Sequence, residues 1–188
     1  RRDWIQVLAN GGVASVAAIA YGVTGSPAAL LATAVAVAVA TADTWASEIG
    51  VLSSHSPRSI VTLRELPAGT SGGVTFLGTV ASLAGSATIG AIFFIGAPDS
   101  FGLLGVEGGH GGGALVGAAL IITLSGFVGS VVDSLLGATL QAQYEDNRGE
   151  RTEKSHGNRR VKGLRLVTND AVNALSGVLV TVAAVALV

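Results

Sequence analysis

The amino-acid sequence predicts an all-α polytopic membrane protein, with about five transmembrane helices in a single integral membrane domain over residues 1–188. Three observations support this prediction. Five apolar stretches are each long enough to cross a bilayer as a helix, which takes about 20 residues. Only 12% of the residues are charged, whereas a soluble domain carries roughly 25%. Threading the stretches alternately through a membrane places all 11 Lys and Arg residues on one side.

The five predicted helices span approximately Trp4–Tyr21, Pro27–Gly50, Ser71–Ile95, Gly113–Leu140 and Leu166–Val188. The first follows a basic pair and ends at a turn containing Gly, Ser and Pro, which suits a tight reversal. The second is rich in Ala and Val, and the third opens with a Gly-rich segment. The fourth follows a Gly-rich, acidic connection, and the fifth rises from the most hydrophilic loop of the chain. Inner loops are therefore expected at 51–70 and 141–165.

The charge distribution predicts the orientation of the bundle. The outer connections, 22–26 and 96–112, contain no Lys or Arg. Because Lys and Arg are retained on the cytoplasmic side of membrane proteins, we expect the inner loops to face the cytoplasm, across the cell (inner) membrane of a prokaryote. The absence of Cys excludes disulfides, thiol catalysis and Cys-based metal sites. The net charge of −1 gives no reason to expect a nucleic-acid partner.

Glycines inside the predicted helices indicate close helix packing, since small residues let backbones approach one another in lipid. The glycines assigned to such surfaces are Gly78, Gly85, Gly90, Gly117, Gly126 and Gly129. A homo-oligomer is one assembly that such surfaces would allow. A weak repeat also relates helices 2–3 to helices 4–5, since Asp43-Thr44 is echoed by Asp133-Ser134. This would be a parallel duplication, with chance agreement as the alternative.

Three aspartates lie at similar depths in separate predicted helices. Asp43, Asp133 and Asp170 are each within about 10 Å of the inner face at 1.5 Å per residue. A carboxylate in hydrocarbon costs at least ~2.5–3.5 kcal/mol, so it usually faces a cavity or a partner. Oxygen-only ligands suit Mg²⁺; protonation, or pairing with a loop Arg such as Arg64, is the alternative. Glu48 is turned about 140° from Asp43 on a regular helix and is expected to support the site or to pair with a loop Arg.

Two further groups of residues suggest phosphate binding. The segment Gly69, Thr70, Ser71, Gly72 and Gly73 is predicted to open helix 3, where unpaired N–H groups and the helix dipole attract anions; a simple turn is the alternative. Asn169 and Asn173 are four residues apart and share a helix face, which either binds a polar ligand or bonds neighbouring helices. The loop cations Arg64 and Lys162 are candidate phosphate clamps.

Several blocks of this sequence resemble, in the same order, a family of polytopic membrane proteins. The blocks are Arg2-Asp-Trp-Ile-Gln-Val-Leu-Ala-Asn-Gly11, Asp43-Thr-Trp-Ala-Ser-Glu-Ile-Gly50, Pro67-Ala-Gly-Thr-Ser-Gly-Gly-Val74, Gly129-Ser-Val-Val-Asp-Ser-Leu-Leu-Gly-Ala138 and Asn169-Asp-Ala-Val-Asn173. This family includes the plant phytyl-phosphate kinase of tocopherol synthesis and an animal transmembrane homologue. This chain differs from the family in lacking an initiator Met, and we expect the N-terminal helices of the family chain to be missing from it.

The resemblance implies a kinase that phosphorylates an isoprenoid monophosphate, such as a phytyl or prenyl phosphate, with CTP or ATP as donor. A lipid phosphate is already an anionic nucleophile, so catalysis requires positioning and charge neutralisation. The candidate catalytic residues are Asp43, Glu48, Asp133 and Asp170, of which the three aspartates would hold Mg²⁺ directly or through water. The candidate phosphate- and nucleotide-binding residues are Arg64, Gly69, Thr70, Ser71, Gly72, Gly73, Lys162, Asn169 and Asn173. The prenyl tail of the lipid substrate would lie among the helices.

Three other functions fit part of the same pattern. A transporter or flippase of a lipid phosphate or small anion would also use glycines and intramembrane acids, but it should carry polar groups near the midplane, and the outer halves of these helices hold almost none. A nucleotidyltransferase acting on a lipid phosphate would use the same acids and release pyrophosphate. A non-catalytic membrane scaffold would tolerate replacement of the aspartates.

Overall fold

The computed structural model describes residues 4–97, 112–146, 149, 151–152, 155 and 157–187. Predictions that concern Arg1, Arg2, Arg148, Lys154 and most of the outer connection 96–112 therefore lie outside the described residues. The described chain contains five helices, each long and apolar enough to cross a membrane, which confirms the predicted fold class. They are α1 (Trp4–Thr24), α2 (Pro27–Gly50), α3 (Phe76–Gly96), α4 (Gly112–Thr139) and α5 (Asn169–Ala186).

Two helices begin later than the sequence predicted. Helix α3 begins at Phe76 rather than Ser71, with the Thr75 side chain accepting a hydrogen bond from the Gly78 N–H at 3.0 Å. Helix α5 begins at Asn169 rather than Leu166, and Thr168 accepts from the Ala171 N–H at 3.2 Å. In both cases a Thr hydroxyl satisfies one of the first helical N–H groups. The Gly-rich segment is therefore not the N-terminus of α3.

Both inner loops contain short antiparallel strands, which the all-α prediction omitted. In the first loop, β1 (Arg58–Ser59) pairs with β2 (Gly73–Val74). In the second, β3 (Gln143–Glu145) lies between β4 (Arg151–Thr152) and β5 (Arg159–Lys162). Helices α2 and α3, and likewise α4 and α5, are thus joined by antiparallel strands, and the second helix of each pair is capped by a Thr; the duplication itself stays a prediction.

Helix α2 lies at the centre of the bundle and contacts each of the other four helices. Its Leu31, Val35 and Val39 form the hydrophobic core with Ile122 of α4 and Val180 of α5. Helix α1 packs against α2 and α5 at the edge of the bundle, and none of its residues is buried. The core occupies the half of the bundle that is remote from the inner loops, so the inner-loop end is left for polar residues.

Glycines provide the close contacts between helices at five of the six predicted positions. A Cβ on Gly126 would lie 2.6 Å from Ser86 Cβ, and one on Gly90 would lie 2.7 Å from the Ala119 carbonyl oxygen. Gly78, Gly85 and Gly129 are similarly close to a neighbouring helix. The prediction is wrong for Gly117, because no described atom of another helix lies within 4 Å of its Cβ position.

Candidate functional site

The inner-loop end of the bundle contains a cavity of about 1050 Å³, which we name the loop-side cavity. All five helices and the first inner loop contribute to its walls. The polar residues that the helices supply lie within about 15 Å of the helix ends on this side, at 1.5 Å per residue. The cavity is therefore a pocket at one end of the bundle and has the size of a small-molecule binding site.

The three predicted aspartates all line this cavity. Asp43 comes from α2, Asp133 from α4 and Asp170 from the first turn of α5. Asp43 and Asp133 are close enough to interact electrostatically. However, within residues 4–97, 112–146 and the described part of 149–187, no three Asp, Glu, His or Cys side chains are grouped closely enough to hold a metal ion. The three carboxylates are therefore not grouped as direct ligands of one ion in the described part of the chain, and ligation through water stays a prediction.

Asp133 is held by side chains from α5. Ser176, which is 1% exposed, donates from its Oγ to Asp133 Oδ2 at 3.1 Å. The Asn173 amide lies against the same carboxylate oxygen. With its nitrogen toward Asp133, the orientation that satisfies both amide atoms, it donates to Asp133 Oδ2 at 2.9 Å and to the Asn169 carbonyl at 3.3 Å. Its oxygen then lies 3.3 Å from the side-chain amide of Asn10 in α1.

The Gly-rich segment 69–73 borders the cavity as a loop whose last residue, Gly73, begins β2. Gly69 and Gly72 have φ values of 77° and 78°, a conformation that only glycine adopts without strain. A Cβ on Gly72 would lie 2.4 Å from Ala138 Cβ, whereas nothing lies within 4 Å of the Cβ position of Gly69. Gly72 thus packs the loop onto the end of α4, and Gly69 faces open space.

Contacts within and around this segment limit which of its groups can bind a ligand. The Gly73 N–H donates to the Thr70 carbonyl at 3.0 Å. Ser71 Oγ donates to Gln141 Oε1 at 2.6 Å, and Gln143 Nε2 donates to the Ser71 carbonyl at 3.3 Å. These two hydrogen bonds connect the first inner loop to the second, so Ser71 has a structural role. The Thr70 hydroxyl is buried and has no hydrogen-bond partner among the described residues.

Three predicted site residues lie away from the cavity. Glu48 is exposed on α2, and Arg64 is exposed next to the Arg58–Glu65 ion pair, whose charged atoms are 3.6 Å apart. Neither belongs to the cavity lining. Lys162 also lies outside it, and its Nζ donates to the carbonyl of Ala138 near the end of α4. A cation at that position satisfies a terminal carbonyl and interacts favourably with the helix dipole. Because Arg64 and Lys162 both lie outside the cavity lining, the structure gives no support to the phosphate-clamp roles predicted for them.

Several residues that line the cavity were not predicted as site residues. Gln6 and Asn10 of α1 are four residues apart and both face the cavity, as do Ser130 and Ser134 of α4. His55 lines it from the first inner loop. The signal for the α1 pair was present in the sequence: two amides at a spacing of four in an otherwise apolar helix, the pattern that identified Asn169 and Asn173.

The charge of the cavity is negative. Its lining contains three aspartates and, among residues that the structure describes, no Lys or Arg; His55 is its one basic side chain there. The ion pairs Arg58–Glu65 and Arg159–Glu145 lie outside it, one in each inner loop. Such a site favours cations, and it can accept a phosphate when a cation or backbone N–H groups offset the carboxylates.

Comparison with known proteins agrees with this architecture. Protein PGR of Arabidopsis thaliana is 35% identical over 195 residues, which cover 94% of this chain and 65% of that protein. An uncharacterized membrane protein of Methanocaldococcus jannaschii is 33% identical over 140 residues, which cover 74% of this chain and 52% of that protein. The chain thus spans between half and two thirds of the lengths of these relatives. No solved structure matches it.

A family model described as integral membrane protein DUF92 matches residues 1–181. That range includes every helix and both inner loops except the last residues of α5. The family model covers nearly the whole chain, and its description as an integral membrane protein agrees with the five apolar helices. The protein therefore belongs to the DUF92 family of integral membrane proteins.

Proposed function

We propose that this protein is an isoprenoid monophosphate kinase, which transfers a phosphoryl group from a nucleoside triphosphate to a lipid monophosphate at the cytoplasmic membrane face. One observation supports this most directly. Aspartates from α2, α4 and α5 line the same cavity as the Gly-rich segment 69–73, at one end of a membrane bundle. Acidic groups for a divalent cation, a loop for phosphate and access from the bilayer are what phosphoryl transfer to a lipid requires.

The cavity residues fit Mg²⁺ as the cation. Asp43 and Asp133 are carboxylates that line the same cavity and lie close enough to interact electrostatically. These are oxygen donors, and Mg²⁺ binds one or two carboxylates together with water and substrate phosphates. Asp43 and Asp133 would hold the ion directly or through water, and Asp170 and Asn169 at the start of α5 line the same cavity. When bound, Mg²⁺ would neutralise charge on the phosphates that meet in the cavity.

The other residues of the cavity would orient the two substrates. We assign two donors to the nucleotide phosphates. One is the backbone at Gly69, where nothing lies within 4 Å of the Cβ position. The other is the Thr70 hydroxyl, which is buried and has no hydrogen-bond partner among the described residues. Phe127 and Val131 of α4 supply an apolar wall for the start of the prenyl chain. An oxygen of the lipid monophosphate attacks the terminal phosphorus, the bond from that phosphorus to the bridging oxygen breaks, and nucleoside diphosphate leaves.

The decisive experiment uses the purified protein in detergent, where transport across a membrane is not measurable. Phytyl monophosphate is incubated with Mg²⁺ and CTP or ATP labelled at the terminal phosphate, and the lipid products are separated. We expect labelled phytyl diphosphate together with nucleoside diphosphate. Release of pyrophosphate and a nucleotidyl lipid would instead establish a nucleotidyltransferase.

A result without any covalent product, combined with movement of a lipid phosphate across reconstituted vesicles, would establish a transporter. The loop-side cavity argues against that outcome, because the polar groups of its helices lie toward one end of the bundle. Alternating-access transporters place their binding sites near the bilayer midplane.

A further inference from the structure

Helix α3 contains a buried hydroxyl group that its own helix leaves unbonded. The hydroxyls on either side of it are satisfied locally: Thr79 Oγ1 donates to the Thr75 carbonyl at 2.9 Å. Likewise, Ser86 Oγ donates to the Leu83 carbonyl at 3.0 Å. Such bonds to the preceding turn are a common way to accommodate Ser and Thr in an apolar helix. Ser82 lies between these two residues, and its buried Oγ has no hydrogen-bond partner among the described residues.

Close helix packing fixes the position of Ser82. The residue is 2% exposed and lines the loop-side cavity. A Cβ on Gly78, one turn earlier, would lie 2.8 Å from the Ala46 carbonyl oxygen of α2. A Cβ on Gly85 would lie 3.2 Å from the Trp45 ring, also of α2. The backbone around Ser82 is therefore held in place against α2. Because a buried hydroxyl without a partner is destabilising, a ligand in the cavity that accepts its hydrogen bond would remove this cost.

A second buried serine and two apolar side chains line the cavity from α4. Ser130 is 5% exposed, and Phe127 and Val131 line the cavity beside it. Spacings of three and four residues from Phe127 place Ser130 and Val131 on the same face of the helix. The cavity thus combines hydroxyl groups with apolar surface between its helices. A phosphate monoester with an apolar tail has the complementary combination of groups.

Depth in the bundle separates Ser82 from the other unpartnered hydroxyl of the cavity. Three buried side-chain oxygens lack a partner within the described ranges, and two of them, those of Thr70 and Ser82, belong to residues that line the cavity. Thr70 lies in the first inner loop, whereas Ser82 lies six residues beyond the first residue of α3, about 9 Å along the helix. A nucleotide is polar throughout and is expected to stay at the loop end. A lipid phosphate must place its tail in hydrocarbon, so the deeper hydroxyl suits its phosphate.

We propose that Ser82 and Ser130 form the binding subsite for the phosphate of the lipid acceptor. Their hydroxyls donate to its oxygens, and its tail begins along Phe127 and Val131. Both donors are neutral, so they orient the phosphate, while its charge is offset by the cation that the aspartates of the cavity attract. The subsite rests on the proposed function for the identity of the lipid. Because hydrogen bonds to charged groups are stronger than those between neutral groups, loss of the Ser82 donor should weaken binding of the lipid phosphate about 10-fold.

The test measures binding of phytyl monophosphate to the full chain in a neutral detergent, with Mg²⁺ and without nucleotide. Thermal unfolding is followed over a titration with the lipid, because a ligand of the native state raises the midpoint. Without lipid, Ser82→Ala should have a midpoint at least as high as that of the unaltered protein, since an unpartnered buried hydroxyl is removed. It should need about 10-fold more phytyl monophosphate for the same rise in midpoint. Phytol, which lacks the phosphate, should bind equally to both proteins.

Two control variants each share one property with Ser82→Ala. Ser86→Ala removes a buried hydroxyl from the same helix, but Ser86 bonds to the Leu83 carbonyl and lies outside the cavity lining. Thr181→Val removes a buried hydroxyl that also lacks a partner in the described chain, but Thr181 does not line the cavity. Neither control should change the affinity for phytyl monophosphate. Ser130→Ala is the second variant of the subsite and should weaken binding as Ser82→Ala does.

Unchanged affinity for phytyl monophosphate in either subsite variant, or an equal loss in either control, would overturn the subsite. Equal losses for phytyl monophosphate and phytol would also overturn it, because Ser82 would then shape the cavity without binding phosphate. The assay for labelled diphosphate separates these results from failure of the kinase proposal. If diphosphate forms and Ser82→Ala leaves the KM for the lipid unchanged, the kinase stands and the subsite is wrong. If Ser82→Ala selectively weakens binding of phytyl monophosphate and no product forms, the subsite stands and the kinase proposal is wrong.

Discussion

Ser176 of α5 donates a hydrogen bond to Asp133 of α4 across 3.1 Å, although both residues lie inside helices that are apolar enough to cross a membrane. Ser176 is 1% exposed, and Asp133 faces the loop-side cavity. One oxygen of the carboxylate is thus held by protein while the residue remains next to the cavity. This is the arrangement expected of a buried acid that binds a ligand.

Asp133→Asn is expected to abolish phosphoryl transfer while leaving the protein folded. The substitution keeps the shape of the side chain but removes its negative charge, so a cation and the phosphates it neutralises are no longer held. Loss of one preorganised electrostatic group costs about 100-fold or more in rate. The measurement is formation of labelled phytyl diphosphate in detergent, with size-exclusion chromatography as the check of folding. Full activity would remove Asp133 from the mechanism.

Glu48→Gln is expected to keep activity close to that of the unaltered protein, although the sequence suggested a supporting role for this acid. Glu48 is exposed and lies outside the cavity. The same product assay checks this expectation, and comparison with Asp133→Asn shows whether position relative to the cavity decides the effect. A loss as large as that of Asp133→Asn would mean that the catalytic groups extend beyond the cavity we describe.

Ser176→Ala is expected to lower the rate by about 10-fold without abolishing it. Hydrogen bonds to charged groups contribute about 1.5–3 kcal/mol, and 1.4 kcal/mol corresponds to a factor of ten. Since the carboxylate itself remains, the Mg²⁺ concentration for half-maximal activity should rise. Titration of activity with Mg²⁺ measures both effects. An unchanged Mg²⁺ requirement with a lower thermal midpoint would indicate that Ser176 serves stability alone.

The fold and the location of the candidate site could be predicted from the sequence because both depend on the large free-energy cost of placing polar groups in hydrocarbon. A stretch of apolar residues has few alternatives to a transmembrane helix, and an intramembrane aspartate must face something polar. Counting residues from the helix ends therefore placed Asp43 and Asp133 at the correct end of the bundle. Depth alone does not determine the direction of a side chain around the helix axis, which is why the three aspartates line one cavity without being grouped, in the described residues, as direct ligands of one ion.

The inner loops could not be predicted in the same way. Strands of two to four residues, such as β1 and β5, are too short to show a periodic pattern. Two contacts of these loops are also not evident from the sequence. The Ser71 hydroxyl donates to Gln141, and the Lys162 ammonium group donates to the Ala138 carbonyl. Each contact joins residues that are far apart in the sequence. Positive charge near the Gly-rich segment 69–73 suggested phosphate clamps, whereas the structure places the Lys162 ammonium group at the Ala138 carbonyl of α4.

Gly72→Ala is expected to destabilise the protein more than Gly69→Ala. Both glycines have positive φ values, and a non-glycine residue there costs about 1–2 kcal/mol. At Gly72 the new Cβ would also collide with Ala138, at 2.4 Å, and such overpacking costs about 1–3 kcal/mol more. Thermal unfolding in detergent compares the two variants. Equal midpoints would show that the loop does not pack against α4 at Gly72.

Lys162→Met is expected to reduce stability without changing the KM for the nucleotide. Its ammonium group donates to the Ala138 carbonyl near the end of α4. The hydrogen bond and the helix dipole together contribute about 1 kcal/mol to the free energy of unfolding. Loss of that amount lowers the thermal midpoint of a chain of this size by about 2–4 °C. Met keeps the length and apolar stem of the side chain, so lost charge is the main change. Thermal unfolding and nucleotide KM are measured on the same preparation, with Arg165→Met as a control for general loss of loop charge. A several-fold rise in KM for Lys162→Met alone, with an unchanged midpoint, would restore the phosphate-clamp role that the sequence suggested.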